Sequence, residues 1–417
     1  MNNTSVSKRI ALLASLSAMT LAAACGGGEG EGGGTDSIKI GAIQPLTGAL
    51  AAYGEESQAG FEYIVDQINE SGGIECMDGA TIDVEVADEA SDPGKAATEA
   101  RRLAGQEGVS LIVGSLLSSQ MASVSPVADQ FQIPVLSLFG GGTNSEYLYT
   151  MGLPYKEGYG ETMTKFIDEI NQKYDAGIQT AALTSSNYEA GQQVDNGLEE
   201  LLPEIGVEVV GRVPVETGGK DYKPAVTKLN ALNPDVVLGL VTTEDGVTLH
   251  QARGATDSQL LFVGGTGGYA DPYVWESLGD ATAKKVLANN TFAMASFSAG
   301  AKSEQLQSFL TEVGEADLDV TIGQNFVQGA QAAWVVKNLL ESACEDDPQA
   351  IYEAFQDVEI AADSDELYLP KSEGLQFDEE TRFMRDTTAL IVEWNEDGTQ
   401  DVVFPPEFAT REPGVDK

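Results

Sequence analysis

The chain has 417 residues, of which 42% are hydrophobic and 7% aromatic, enough material to bury the cores of two domains of ordinary size. Its 66 acidic and 23 basic residues give a net charge of -43. A surface of that sign repels nucleic acid and anionic lipid headgroups, which excludes both as electrostatic partners. The acids are dispersed among periodic apolar segments rather than run together, so a folded chain is expected. An excess this large suits an exported protein in a salt-containing medium, where counterions screen self-repulsion.

At the N-terminus, Lys8 and Arg9 precede an almost uncharged alanine/leucine run from Ile10 to Ala24. The run is shorter than the roughly 20 residues that span a bilayer, and small residues close it. Residues 1–24 therefore read as a secretory signal. Ala22, Ala23 and Ala24 lead into Cys25, a pattern that resembles the lipobox of bacterial lipoproteins, where the cysteine becomes the lipidated N-terminus. The match departs from the usual pattern at Ala22, where an aliphatic residue is common; Leu21 stands one place further out. Residues 25–36 form a Gly/Glu-rich tether that cannot pack a core. No later run is long and apolar enough to span a membrane. Once Cys25 is committed to lipid, Cys76 and Cys344 remain and are expected to form a disulfide outside the cytoplasm, two separate thiols being the alternative.

From residue 38 onward one rhythm repeats. "IKIGAIQPL" reads as a strand and "EESQAGFEYIVDQINESGG" as a helix, with Phe61, Ile64, Val65 and Ile68 at helical spacing and Gly72-Gly73 as its stop. "TIDVEVAD" is a strand; "DPGKAATEARRLAGQEG" is a helix capped at Asp92 with Pro93 in its first turn. "VSLIVGS", "SSQMASVSPVADQF" and "IPVLSLF" follow as strand, helix and strand. After "YGETMTKFIDEINQKY" the alternation restarts with "QTAALTSS", the helix "YEAGQQVDNGLEELLPEIG", then "VEVVGRVPV", "DYKPAVTKLNAL", "PDVVLGLV", "EDGVTLHQARGA", "QLLFVGG" and a helix near "DPYVWESLG". A long helical region, "GQNFVQGAQAAWVVKNLLESAC" and "PQAIYEAFQDV", precedes strand-like "EGLQFDEETRFMRDTTALIVEWNEDG". Strands that are apolar throughout, separated by helices, indicate parallel sheets covered on both faces. Two such series imply an α/β protein of two doubly wound lobes.

These segments, in this order and spacing, resemble the branched-chain amino-acid-binding (leucine/isoleucine/valine) family of periplasmic solute-binding proteins of ABC importers. The resemblance runs from about Ile38 to Thr399 and rests on "IKIGAIQPLTGALAAYGEESQAGFEYIVDQINESGGI", "DPGKAATEARRLAGQEGVSLIVGSLLSSQ", "YEAGQQV", "KDYKPAVTKLNALNPDVVLGL", "QARGA" and the terminal "GLQFDEETRFMRDTTALIVEWNEDG". It implies a type I fold: lobe 1 from 37–152 and 290–383, lobe 2 from 153–289 and 384–417, and three crossover segments. It also implies a monomer that captures a small ligand between its lobes and delivers it to ABC permease subunits. By the same resemblance the helix ending at Cys344 returns to the lobe that holds Cys76.

In open parallel sheets, ligands bind beyond the carboxyl ends of the strands. Four loops there carry suitable groups. "PLTGALAAYG" offers Tyr53 as an aromatic wall. "GSLLSSQ" offers Leu117, Ser118 and Ser119 at a helix start, where free N–H groups favour an anion; the resemblance assigns the position of Ser118 to a ligand carboxylate. "LFGGGTNSE" has Phe139, Gly140 and Gly141 where the family carries an alanine/threonine pattern. "SSNYEAG" supplies Tyr188, which matches a ligand-contact tyrosine. The family holds a ligand ammonium with a tyrosine and a glutamate; the matching positions here are Val241 and Thr266. Either Glu244, Asp245 or Asp271 takes that role, or the ligand is an organic acid, an amide or an aromatic carboxylate without an ammonium.

An enzyme is not expected. The single histidine, His250, reads as a solvated residue on a helix, and no G-x-S-x-G elbow accompanies it. "GTGGYA" lacks the acidic residue a dinucleotide fingerprint requires, no G-x-x-x-x-G-K-[ST] loop occurs, and no zinc spacing or other cofactor site is present. A tethered domain reporting to a signalling partner is the non-enzymatic alternative to transport.

Overall fold

A parallel strand covered on both faces buries nearly every residue, and β1 (Ser37–Gln44) is buried continuously from Ile40 to Gln44. This computed structural model describes residues 37–141, 145–288, 290–316, 318–387 and 389–415. The expected signal, the tether and Cys25 lie outside them. β1 pairs in parallel with β2 (Thr81–Asp88) and β3 (Leu111–Val113). With β4 (Val135–Ser137) and β5 (Leu148–Thr150) they form a five-stranded sheet in the order β2-β1-β3-β4-β5. Three helices connect them: α1 (Ala51–Glu70), α2 (Pro93–Arg102) and α3 (Ser118–Phe131). α1 buries Phe61, Ile64, Val65 and Ile68, and Asp92 caps α2 by accepting from the Lys95 N–H at 2.8 Å.

After β5 the chain crosses to a second lobe, whose first helix is α4 (Glu161–Tyr174). There β6 (Thr180–Leu183), α5 (Glu189–Leu201), β7 (Glu208–Arg212), α6 (Lys223–Leu232), β8 (Val236–Gly239), α7 (Thr243–Ala255) and β9 (Leu261–Gly264) alternate. The short helices α8 (Gly267–Ala270), α9 (Pro272–Leu278) and α10 (Asp280–Val286) lead to β10 (Thr291–Ala295). The chain then returns to the first lobe as α11 (Glu304–Glu315), α12 (Gln324–Ala343) and α13 (Pro348–Ala354). It finishes in the second lobe with β11 (Leu390–Trp394) and β12 (Gln400–Phe404), giving a seven-stranded sheet in the order β12-β11-β10-β9-β8-β6-β7. The two lobes and three crossings are those of the type I fold.

Several details differ from the sequence expectation. β10 pairs in parallel with β9 and antiparallel with β11, so it belongs to the second sheet although it lies past residue 290. Of the strand-like stretch near the C-terminus only Leu390–Trp394 forms a strand; Phe377 and Met384 meet in an isolated bridge instead. β12, antiparallel to β11, lies beyond that stretch.

Cys76 and Cys344 are free thiols in the structure, so the disulfide is not formed. They are neighbours nonetheless. Cys344 caps α12 in a left-handed conformation with φ 52°, and its Sγ donates to the Cys76 carbonyl at 3.0 Å. The Glu341 carboxylate accepts from the N–H groups of Glu75 at 2.6 Å and Cys76 at 3.0 Å. Hydrogen bonds rather than a covalent link hold this turn to α12. Burial, then the Cys344 thiol and Glu341, push the Cys76 thiol up to about 12, which leaves it a weak nucleophile.

α1 and α12 cross at near-contact because each presents a glycine to the other's backbone. A Cβ on Gly60 would lie 2.0 Å from the Phe326 carbonyl oxygen, and one on Gly329 would lie 2.0 Å from that of Ser57. Gly329→Ala should therefore destabilise the protein by about 3 kcal/mol, the upper part of the usual overpacking range, measured by denaturant unfolding; an unchanged midpoint would contradict this packing.

Candidate functional site

Residues just past the carboxyl ends of β3 and β9, Ser118 and Thr266, approach Tyr155 and Tyr159, which lie between the two lobes. On the first lobe, α3 begins at Ser118 with Leu117 as its N-cap, in extended conformation and without a side-chain cap. Its first N–H groups are therefore left for an outside acceptor. Leu117 is 43% exposed. Ser118 Oγ accepts from the Gly141 N–H at 3.4 Å and lies 3.4 Å from the hydroxyl of Tyr155. Ser119 turns aside and donates to Gln120 Oε1 at 2.7 Å.

The glycine loop after β4 is what lets this helix start sit so close. A Cβ on Gly140 would stand 2.6 Å from the Leu117 carbonyl carbon and 2.8 Å from the Ser118 nitrogen. Phe139 packs half-buried against the core. Gln328 on α12 donates to the Leu138 carbonyl at 2.7 Å and fixes the strand end from below. Tyr53, in the first turn of α1, is 41% exposed. Partial burial raises its hydroxyl pKa, with further contributions from Asp271, Glu56, Tyr273 and Glu244.

On the second lobe Tyr188 is the N-cap of α5. Burial pushes its hydroxyl well above the ordinary range, and Tyr159, Tyr155 and Asp245 add to the rise. Tyr155 and Tyr159 share the turn Tyr155–Gly160, just past the first crossing, with ring centroids 6.0 Å apart. The Tyr159 hydroxyl lies 3.5 Å from Thr266 Oγ1. Ser118, Tyr155, Tyr159 and Thr266 thus carry a row of uncharged hydroxyls from one lobe to the other, with Tyr188 beside it. Lys156, on the same turn, is paired with Glu200 at 2.6 Å. Sequence reasoning missed both Tyr155 and Tyr159, because "LPYKEGYG" carries no motif; its place at a crossing is the only signal.

Val241 is 1% exposed and sits in the core, where a Cβ on Gly268 would press within 2.3 Å of its Cγ2. The acids named as substitutes for an ammonium partner separate clearly. Asp245 is 1% exposed and engaged, accepting from Ser186 Oγ at 2.5 Å, Tyr222 Oη at 2.6 Å and the Gly218 N–H at 2.8 Å. Asp271 caps α9, accepting from the Tyr273 N–H at 2.9 Å and from Thr243 Oγ1 at 3.5 Å; burial raises its carboxyl pKa. Glu244 is exposed.

His250 is not solvated. It is 0% exposed, with Nε2 3.0 Å from the Gly268 carbonyl and Nδ1 2.9 Å from Arg253 Nη1. Nε2 therefore carries the proton and Nδ1 accepts, a neutral ring, and burial and then Arg253 hold its pKa well below the ordinary value. Arg253 is itself buried, lies over the Phe262 ring at 3.8 Å and donates to Thr291 Oγ1 at 2.8 Å. The pair braces α7 in the core. Among the described residues no cluster of three or more His, Cys, Asp or Glu could hold a metal, and no helix is long and apolar enough to cross a membrane.

Because three donors, two of them buried, converge on the buried Asp245, Asp245→Ala should destabilise the fold by about 2–4 kcal/mol. Glu244→Gln, on the same helix, should stay within about 0.5 kcal/mol of wild type. Denaturant unfolding of the two variants measures both; an unaffected Asp245 variant would contradict the assignment.

Residues 37–399 match the periplasmic binding protein family. The leucine-, isoleucine-, valine-, threonine- and alanine-binding protein of Pseudomonas aeruginosa is 25% identical over 379 residues, 88% of this chain and 92% of that protein. Among solved structures, the branched-chain amino acid transporter substrate-binding protein of Streptococcus pneumoniae, in complex with isoleucine, superposes with a TM-score of 0.69 at 21% identity, over 88% of this chain and all of that one. A solute-binding protein of an ABC transporter from R. palustris, in complex with 4-hydroxybenzoate, gives 0.69 at 17% identity, over 90% of this chain and 97% of that one.

Proposed function

Since the chain belongs to the periplasmic binding protein family, whose members bind solutes for ABC importers and are not enzymes, we propose that it captures a small carboxylate without an α-ammonium. It does so as a receptor lipid-anchored through Cys25 and serving ABC permease subunits. The observation that carries the ligand reading is the row of uncharged hydroxyls at Ser118, Tyr155, Tyr159 and Thr266, beside the uncapped start of α3. A carboxylate docked there accepts from the Ser118 hydroxyl and from free N–H groups, at the positive end of a helix. Tyr155, Tyr159 and Tyr188 supply aromatic walls and hydroxyl donors for the rest of the ligand. The Val241 and Thr266 side chains carry no charge to pair with an ammonium, and Asp245 is already engaged.

Solved neighbours hold isoleucine in one case and 4-hydroxybenzoate or 3,4-dihydroxybenzoic acid in others, so amino acids and aromatic acids are the two classes to compare. The half-buried carboxylate of Asp271 is the feature that favours an ammonium.

Calorimetric titration with leucine, 4-methylpentanoate and 4-hydroxybenzoate separates the readings. One of the two acids should bind more tightly than leucine, and Ser118→Ala should weaken that binding by about 1–3 kcal/mol, the loss of one hydrogen bond to a charged group. Submicromolar leucine binding would overturn the ligand assignment and give Asp271 or Glu244 the ammonium. For the anchor, Cys25→Ser should move the protein from the membrane to the soluble fraction; a wild-type protein already soluble would refute lipidation.

A further inference from the structure

Behind the loop that carries Leu117 and Ser118 lies a carboxyl group that ligand capture, as described above, leaves unused. Glu89 follows β2 and is 0% exposed. Its N–H donates to the carbonyl of Gln44, the last residue of β1, at 3.0 Å. Its Oε1 accepts from Ser115 Oγ at 2.6 Å, and Ser115 Oγ in turn accepts from the Leu116 N–H at 2.5 Å. One hydrogen-bonded path thus leads from Glu89 through Ser115 into the backbone of the capture loop. The other carboxyl oxygen, Oε2, is buried without a partner, and so is Oε1 of Gln44, which is 1% exposed. Two buried acceptor oxygens without a donor suit an ionised carboxylate poorly; a protonated one loses its charge and gains a donor.

The charges around Glu89 come from one side. Asp88, the preceding residue, is partly buried but is held below the usual carboxylate range by hydrogen bonds from Thr47 and Ala90 and by Lys95, which lies 3.7 Å away. From β1 and from the loop after β3, Glu89 is met by Gln44 and Ser115, both uncharged.

We propose that Glu89 is a positioning residue that couples capture of the ligand carboxylate to proton uptake. Neutral, it supports the Ser115–Ser118 loop while an anion docks on Ser118 and the start of α3; ionised, its charge behind that loop opposes the anion. This rests on the carboxylate reading given above. Burial pushes the Glu89 carboxyl up to about 7, against the Ser115 hydrogen bond and with Asp88 adding to the rise, so the coupling falls near neutral pH. The native state therefore holds a proton that the unfolded chain has released, and a bound anion holds it more tightly still. Affinity is then full below about pH 7 and falls as pH rises, by at most about tenfold per pH unit for one coupled proton.

Titrations with 4-methylpentanoate and 4-hydroxybenzoate between pH 5.5 and pH 8.5, each in two buffers of different ionisation enthalpy, test this. The ligand-bound wild type should show proton uptake above pH 7 and several-fold weaker binding at pH 8.5 than at pH 6. Glu89→Gln, which keeps an acceptor for Ser115, should bind independently of pH and take up no proton. Without ligand, the melting temperature of Glu89→Gln relative to wild type should rise from pH 5 to pH 8, because the wild type alone loses stability as the proton leaves. Binding that is equally strong at all pH values in the wild type, or a constant melting difference, would overturn the coupling alone. Failure of every carboxylate to bind at pH 6 would overturn the carboxylate reading and the coupling together.

Discussion

The helix start at Ser118 is the constraint around which the cleft is arranged. Four N–H groups at the beginning of a helix need acceptors, and here the N-cap is Leu117, which offers none from its side chain. β1, β3 and β4 deliver three loops to one end of the sheet, and the helix start stands among them. Gly140 lets the neighbouring loop approach the Leu117–Ser118 backbone closely, and Gln328 on α12 holds the end of β4 from below. An apolar residue at the cap, normally a defect, becomes a reason for an external acceptor to bind.

The rest of the molecule brings the second lobe to that point. The first crossing leads directly into the turn of Tyr155 and Tyr159, so aromatic hydroxyls from the hinge side stand against Ser118 on one flank and Thr266 on the other. Two of the charged groups near the site are kept occupied. Asp245 is saturated by three donors, and Lys156 is paired with Glu200. For a chain of net charge -43, this has a clear physical reading. Long-range repulsion of an anionic ligand is screened within about 8–10 Å at ordinary ionic strength, while short contacts from neutral donors and a helix dipole act inside that distance.

The layered fold was legible in the sequence because buried parallel strands read as continuous apolar runs and the connecting helices carry clear stops. Ser118 and Tyr188 were legible because strand-to-helix junctions are recognisable, and the structure places both at helix starts. β5 escaped because a three-residue strand has no pattern, and β10 because "TFAMA" between turns resembles any short apolar piece. His250 misled because α7 looks like a surface helix, whereas its buried Arg253 satisfies the ring from within. The cysteines were correctly brought together by the fold, but the chain joins their turns through Glu341 and carbonyl oxygens rather than sulfur to sulfur. Tyr155 and Tyr159 were invisible because their role depends on where the chain crosses, a tertiary fact without local signature.

The most direct measurement is a crystal structure of the protein with the solute it retains when purified from its native source. A carboxylate is expected within hydrogen-bond distance of Ser118 Oγ and of the first free N–H groups of α3, with the body of the ligand between Tyr155, Tyr159 and Tyr188. A solute anchored instead by an ammonium on Asp271 or Glu244, with the α3 start facing water, would contradict it.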